Sequence, residues 1–281
     1  MSGRLVLVAT PIGNLGDISD HMKSILASAD LIACEDSRHS GRLIKHMGIN
    51  NPRYIVVNDH TERDACRRII EEVNAGKTVA LITDAGTPGI SDPGSLVVRA
   101  VLDAGLSVSA VPGPAALIMA LVVSGLPTTR FVFEGFLPRS GSARAERLGD
   151  LASEIRTVIF YEAPHRIART LEDLAIICDP DRQICIAREL TKMHEEFWRG
   201  TVANAAAHFA AINPIGEFVV VLAPGEHPPD ADDDSIRNEL AALLSLGAST
   251  RDAVDTVVKK LGSQKRVVYR LALEINEQRK Q

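Results

Sequence analysis

LITDAGTPGISDPG, residues 81–94, begins inside an apolar run (Val79 to Ile82) and then crowds Gly86, Pro88, Gly89, Pro93 and Gly94 into nine positions. A strand enters, and neither helix nor ladder continues through so many breakers. The stretch is a strand-end loop. Glycine permits positive φ and close backbone approach to a ligand, and proline stiffens the loop so that little entropy is lost on binding. Asp84, Thr87, Ser91 and Asp92 add short polar side chains. Two more loops of this character follow apolar runs: TPIGNLGDIS (Thr10 to Ser19) after LVLVA, and VPGPAA (Val111 to Ala116) after LSVSA. In an open, largely parallel sheet, ligands bind outside the carboxyl ends of the strands. Three such loops predict one shared small-molecule site.

Working outward, residues 4–9, LIAC (Leu31 to Cys34), YIVV (Tyr54 to Val57), TVALIT and LSVSAV read as strands. Helical spacing fills Asp20 to Ala29, Ser40 to Met47, Glu62 to Ala75 and Ser95 to Ala104. This alternation predicts an α/β domain with a parallel sheet over residues 1–118. An apolar helix around Ala115 to Pro127 leads to FVFEGF, TVIFYEA, QICIAREL, EEFWRGTV and GEFVVVLA, with helices near His165 to Ile177 and Ala203 to Ala211. Shorter connections predict a second α/β domain of mixed strand direction over 119–225. RSGSARAERL (Arg139 to Leu148) reads as a loop or an exposed helix start. The acidic, Pro-rich 226–234 reads as a linker. Residues 235–281 then form a small module of three helices, with Ser249 and Ser263 as N-caps and Gly247 and Gly262 as stops. That tail carries nine lysines and arginines against five acids.

The 281 residues and 46 % hydrophobic content support sizeable cores. No apolar run has the length of a membrane span, and the N-terminus lacks a secretory cleavage pattern, so a cytoplasmic protein is expected. The four cysteines are scattered, and His60-x-Glu62 alone is a weak metal signal, so no metal is expected. A net charge of −5 gives no global reason for nucleic-acid binding, yet the charge is unevenly placed.

A dinucleotide is one ligand to weigh, with Glu35 and Asp36 at roughly ribose-contact distance, but the first loop has no G-x-G-x-x-G and opens on Pro11, which has no amide donor. Neither a Walker loop nor a nucleophile elbow is present. S-adenosylmethionine, which has no phosphates, suits three uncharged, Pro-stiffened loops better. Composition alone does not select it.

The segments TPIGNLGDIS, ACEDSRHSGRLI, DAGTPGISDPG, VPGPAA, FEGFLPR, FYEAPHR, RELTKMHEE and GEFVVVL, in this order over residues 5–222, resemble the tetrapyrrole methylase superfamily. They are most similar to its ribosomal branch, the small subunit ribosomal RNA methyltransferase I family, and LGASTRDAVDTVVKKLGSQKRVVY is similar to that family's C-terminal helical module. The resemblance implies two α/β domains with an S-adenosylmethionine cleft between them. It also implies methylation of the ribose 2′-oxygen of a cytidine in small-subunit ribosomal RNA. It puts the cofactor against Pro11, Gly13, Gly86, Thr87, Ala115, Ala116 and Tyr161, and Asp84 and Ile90 of the 81–94 loop are further candidate cofactor contacts. Asn14 and Thr87 stand where many members have Asp, and Ala115 where a hydroxyl is common. Superfamily members commonly pair, so a homodimer is expected.

For a base to take the acceptor's proton, the ionisable clusters at strand ends offer Glu162 in FYEAPHR, and Glu189 and His194 in RELTKMHEE. Arg139, Arg144 and Arg147 offer a phosphate clamp, with Lys265 and Arg266 of the basic tail. Two rival functions stay open: methylation of a tetrapyrrole, and a helix-turn-helix DNA-binding regulator whose first 225 residues sense a ligand.

Overall fold

The computed structural model describes residues 3–58, 61–225, 232–245, 248–261, 263 and 265–278. The chain divides into two units, Met1–Pro224 and Gly225–Gln281.

In the first unit β1 (Arg4–Val8), β2 (Leu31–Cys34), β3 (Tyr54–Val56), β4 (Thr78–Leu81) and β5 (Ser107–Val111) form a sheet of order β3-β2-β4-β1-β5, parallel throughout. Its central strands are almost uninterrupted apolar runs because helices cover both faces. On one face α1 (Asp20–Ser28) and α2 (Ser37–His46) bury Met22, Leu26 and Ile44 against Val6, Ile32 and Ala80. On the other, α3 (Glu62–Asn74) and α4 (Ser95–Asp103) bury Ile69, Val73, Val97 and Val101 against Leu5, Val79 and Leu81.

Strand order brings the three loops together, since β4, β1 and β5 are neighbours and all end on the same edge. The loops are stitched to one another. Thr10 and Gly86 exchange backbone hydrogen bonds at 2.9 and 3.1 Å, and the Thr87 hydroxyl donates to the Pro114 carbonyl at 3.1 Å. At the far end of the 81–94 loop, the buried Glu62 carboxylate accepts from the Gly94 N–H at 2.9 Å.

From the third loop α5 (Ala116–Ser124) runs onto a second sheet. This sheet has β6 (Phe131–Phe136), β7 (Thr157–Glu162), β8 (Gln183–Arg188), β9 (Glu196–Thr201) and β10 (Phe218–Leu222) in the order β6-β7-β10-β8-β9. Only β6 and β7 pair in parallel, so direction is mixed as the sequence predicts. α5 packs Leu117, Ala120 and Leu121 on one face, against Ile159, Ala187 and Val219, so the second lobe begins with this helix. α6 (Gly141–Ser153), α7 (Pro164–Ile177) and α8 (Val202–Ala210) cover the other.

The RSGSARAERL segment is mostly helix, from Gly141, and Arg144 within it is a correction. Only 4 % exposed, Arg144 donates to Asp173 at 2.7 Å, to the Thr170 hydroxyl at 3.0 Å and to the Pro138 carbonyl at 3.1 Å. It is a core ion pair and out of reach of an RNA phosphate. Arg147 is paired with Glu134, while Arg139 is exposed.

In the second unit α9 (Asp233–Ser245), α10 (Thr250–Leu261) and α11 (Lys265–Gln278) close around Ile236, Leu240, Val254, Val257, Val268 and Leu271. Ser249 accepts from the Asp252 N–H at 3.1 Å, the N-cap geometry its position predicts. Most of the described cations here are paired: Arg237 with Glu274, Lys260 with Glu239, Lys265 with Asp255 and Arg270 with Asp233. Linker residues 226–231, the stops Gly247 and Gly262, and His60 lie outside the described residues. Among the described residues no helix is long and apolar enough to cross a membrane.

Candidate active site

A cavity of about 350 Å³ opens where the three loops of the first sheet face the second. Its floor is Ile12 from the first loop, Gly86, Thr87 and Ile90 from the second, and Ala115 and Ala116 from the third. The second sheet supplies Phe136, Tyr161, Leu190 and the β10 residues Phe218 and Val219.

Local chain geometry shapes this wall. The β6–β7 register slips between Phe133 and Phe136, where Gly135 adopts φ 60°. A Cβ at Gly135 would stand 3.3 Å from Ser91 Oγ of the 81–94 loop, so the bulge needs glycine to approach it. Tyr161 is packed edge-on between Phe133 and Phe136, with centroids at 5.0 and 5.5 Å. Burial pushes the Tyr161 phenol above its usual range, and the nearby Asp92 adds to that push.

Of the predicted cofactor residues, Gly86, Thr87, Ile90, Ala115, Ala116 and Tyr161 line the cavity. Pro11 is buried beside it, one residue before Ile12. Gly13 turns away, against Thr191 and Lys192. Asp84 stands behind the wall, its Oδ1 buried and without a hydrogen-bond partner.

The predicted bases are held differently. Glu162 lines the cavity but is 1 % exposed; it accepts from the Thr170 hydroxyl at 2.6 Å, the Ala163 N–H at 2.9 Å and Arg166 Nε at 3.1 Å. Glu189 accepts from Lys192 Nζ at 2.8 Å and from the Glu217 N–H at 3.0 Å, and the Lys192 ammonium holds its carboxyl below the usual range. His194 is exposed on the turn beyond β8, apart from the cavity lining.

Asp92 is the carboxylate sequence reasoning did not place. It lines the cavity, and burial, with Glu35 and Asp84 nearby, pushes its pKa up to about 6 against a smaller opposing pull from the Thr83 hydroxyl. Its position in the organising loop was the available signal. Among the described residues, Asp92, Glu162 and Glu217 belong to the cavity lining and no lysine, arginine or histidine does.

Residues 4–206 match the family described as Tetrapyrrole (Corrin/Porphyrin) Methylases. The chain belongs to this family. Membership makes it a methyltransferase. A relative from Synechocystis sp. named Ribosomal RNA small subunit methyltransferase I is 44 % identical, over 97 % of this chain and 98 % of its own. Among solved structures, the methyltransferase CobJ aligns at TM-score 0.60 and 20 % identity, covering 79 % of this chain and 95 % of its own. A uroporphyrin-III C-methyltransferase from Thermus thermophilus, complexed with S-adenosyl homocysteine, aligns at TM-score 0.54 and 18 % identity, over 78 % and 97 %. At these identities the two structures share the tetrapyrrole methylase fold, seen here as two α/β lobes followed by a helical unit.

Proposed function

We propose that this protein is a cytoplasmic S-adenosylmethionine-dependent methyltransferase acting on the ribose 2′-hydroxyl of a cytidine in small-subunit ribosomal RNA. The observation that supports the cofactor is the lining of the cavity, which among the described residues holds Asp92 without a cationic partner and contains no lysine, arginine or histidine. Such a lining offers no cation to hold the pyrophosphate of a dinucleotide and leaves Asp92 to face a ligand that carries positive charge. When bound, S-adenosylmethionine supplies an electrophilic methyl group on a cationic sulfur. Gly86, Thr87, Ala115 and Ala116 would hold it by backbone approach, with Pro11, Gly13 and Asp84 supporting the loops, and Ile90 and Tyr161 would exclude water.

The acceptor reading rests on coverage. The tetrapyrrole enzymes match about four-fifths of the chain, while the relative named for ribosomal RNA spans 97 % of it at more than twice the identity. Offering labelled methyl donor to small-subunit RNA and to a uroporphyrin-type acceptor in parallel tests this, with label expected in the RNA alone.

Asp92 is the group left to receive the hydroxyl proton. Glu162 is neutralised by Arg166, and Glu189 and Glu217 share Lys192, whereas Asp92 has no cationic partner among the described residues. Glu162 and Glu189 then act as positioning residues. With a pKa of about 6, Asp92 is neutral below that pH and charged above it. Methyl transfer should therefore rise as pH increases through about 6, and Asp92→Asn should remove this limb and lower kcat by roughly 10²- to 10⁴-fold. The stability sign is opposite. A carboxyl raised in the folded state contributes stability at low pH that is lost as pH rises through about 6. Asp92→Asn should thus stabilise the ligand-free protein at pH 7.5 by roughly 1–3 kcal/mol. An unchanged pH profile with unchanged melting would remove Asp92 from the mechanism.

The homodimer is carried by α5, whose Ile118, Met119, Val122 and Val123 are exposed on one face of an almost wholly apolar helix. A second copy covering that face explains a patch that water alone would solvate poorly. Light scattering should give twice the chain mass, and Val122→Glu should give the monomer.

A further inference from the structure

Resting on the ribosomal RNA reading above, we infer that the outer face of α2 is a docking surface for the RNA backbone. α2 has the sequence SRHSGRLIKH, with Arg38, His39, Arg42, Lys45 and His46 all exposed and no acidic residue within the helix. At 3.6 residues per turn these five lie within about 120° of one another, opposite the buried Ser40 and Ile44. Asp36, the N-cap, neutralises Arg38 through contacts of 3.1 and 2.7 Å. Arg42 and Lys45 make no ion pair among the described residues.

Helix stability explains only part of this arrangement. Lys45 and His46 sit in the last turn, where positive charge complements the macrodipole, but Arg38 and His39 lie in the first turn, where it opposes it. Place in the fold supplies the rest. α2 starts at the carboxyl end of β2, where Glu35 lies within electrostatic reach of the cavity residue Asp92. The helix is about 15 Å long, enough to face more than one successive phosphate of a strand. Its unpaired charges contrast with the C-terminal unit, where most described cations are already paired. An RNA strand tracked along α2 would end at the cavity rim.

The test titrates wild type, R42E/K45E and K265E/R266E with small ribosomal subunits and with protein-free small-subunit RNA at several salt concentrations, and with S-adenosylhomocysteine. R42E/K45E should weaken binding to both RNA forms tenfold or more and reduce the log–log salt slope by about 1–2. It should weaken binding more than K265E/R266E does and leave S-adenosylhomocysteine affinity unchanged. R42E/K45E binding RNA like wild type would overturn the inference while leaving the RNA reading intact. Loss on assembled subunits with normal binding to protein-free RNA would overturn it in favour of a ribosomal protein. Wild type that binds neither form would overturn both this inference and the RNA reading.

Discussion

Gly86→Val is expected to lower S-adenosylmethionine and S-adenosylhomocysteine affinity by at least a hundredfold. Gly86 adopts φ 85°, a left-handed conformation that a β-branched residue takes only with strain of about 1–2 kcal/mol. Its new Cβ would stand 3.3 Å from Ile12 Cγ2, tighter than ordinary contact, and its methyl groups would extend into the cavity floor. The same residue exchanges two backbone hydrogen bonds with Thr10, so any local escape from strain separates the first loop from the second. Gly86→Ala should lose less, because it carries the strain without the added methyl groups. Calorimetry with S-adenosylhomocysteine separates the two variants, and a folded Gly86→Val that binds normally would mean the ligand sits elsewhere.

Glu162→Ala is expected to destabilise the first unit by about 3–5 kcal/mol, the range for removing one partner of a buried ion pair. Glu162 is the centre of a network that fastens the end of β7 to α7, α6 and the segment after β6. Arg166, which it neutralises, donates to the Leu137 carbonyl at 2.8 Å, and Thr170, which it accepts from, receives Arg144. Without the carboxylate, the mostly buried Arg166 keeps its charge and loses its counterion. Glu162→Gln should lose less, since the amide still accepts from Thr170. Urea unfolding of both variants is the measurement. A fully stable Glu162→Ala with abolished turnover would instead make Glu162 the base.

The fold was legible because its signals are local. Buried parallel strands such as Leu31–Cys34 read as unbroken apolar runs, and the breakers of 81–94 mark the strand end wherever they occur. That the loops after β1, β4 and β5 come together was legible in their shared Gly and Pro character, and the strand order brings all three to one cavity. The second wall was less so: Leu190, Glu217 and Phe136 reach the cavity through antiparallel pairing and a bulge, which leave little trace in spacing. Arg144 fails as a phosphate contact for the same reason. A basic residue in a polar segment reads as exposed until Asp173, 29 positions later, folds against it. Asp92 was named as a polar loop residue, but its raised pKa comes from burial in the folded cavity wall, with Glu35 from the end of β2 and Asp84 of its own loop adding to it.

Alkaline hydrolysis distinguishes methyl transfer to a ribose oxygen from methyl transfer to a base. Small-subunit ribosomal RNA would be incubated with the protein and donor carrying a labelled methyl group, then digested in alkali and resolved by mass spectrometry. Strand cleavage in alkali uses the free 2′-hydroxyl, so a methylated ribose protects its own phosphodiester. Label is expected in an alkali-resistant dinucleotide that begins with cytidine. Label confined to alkali-released mononucleotides would mean base methylation, and RNA without label would mean that small-subunit ribosomal RNA is not the acceptor.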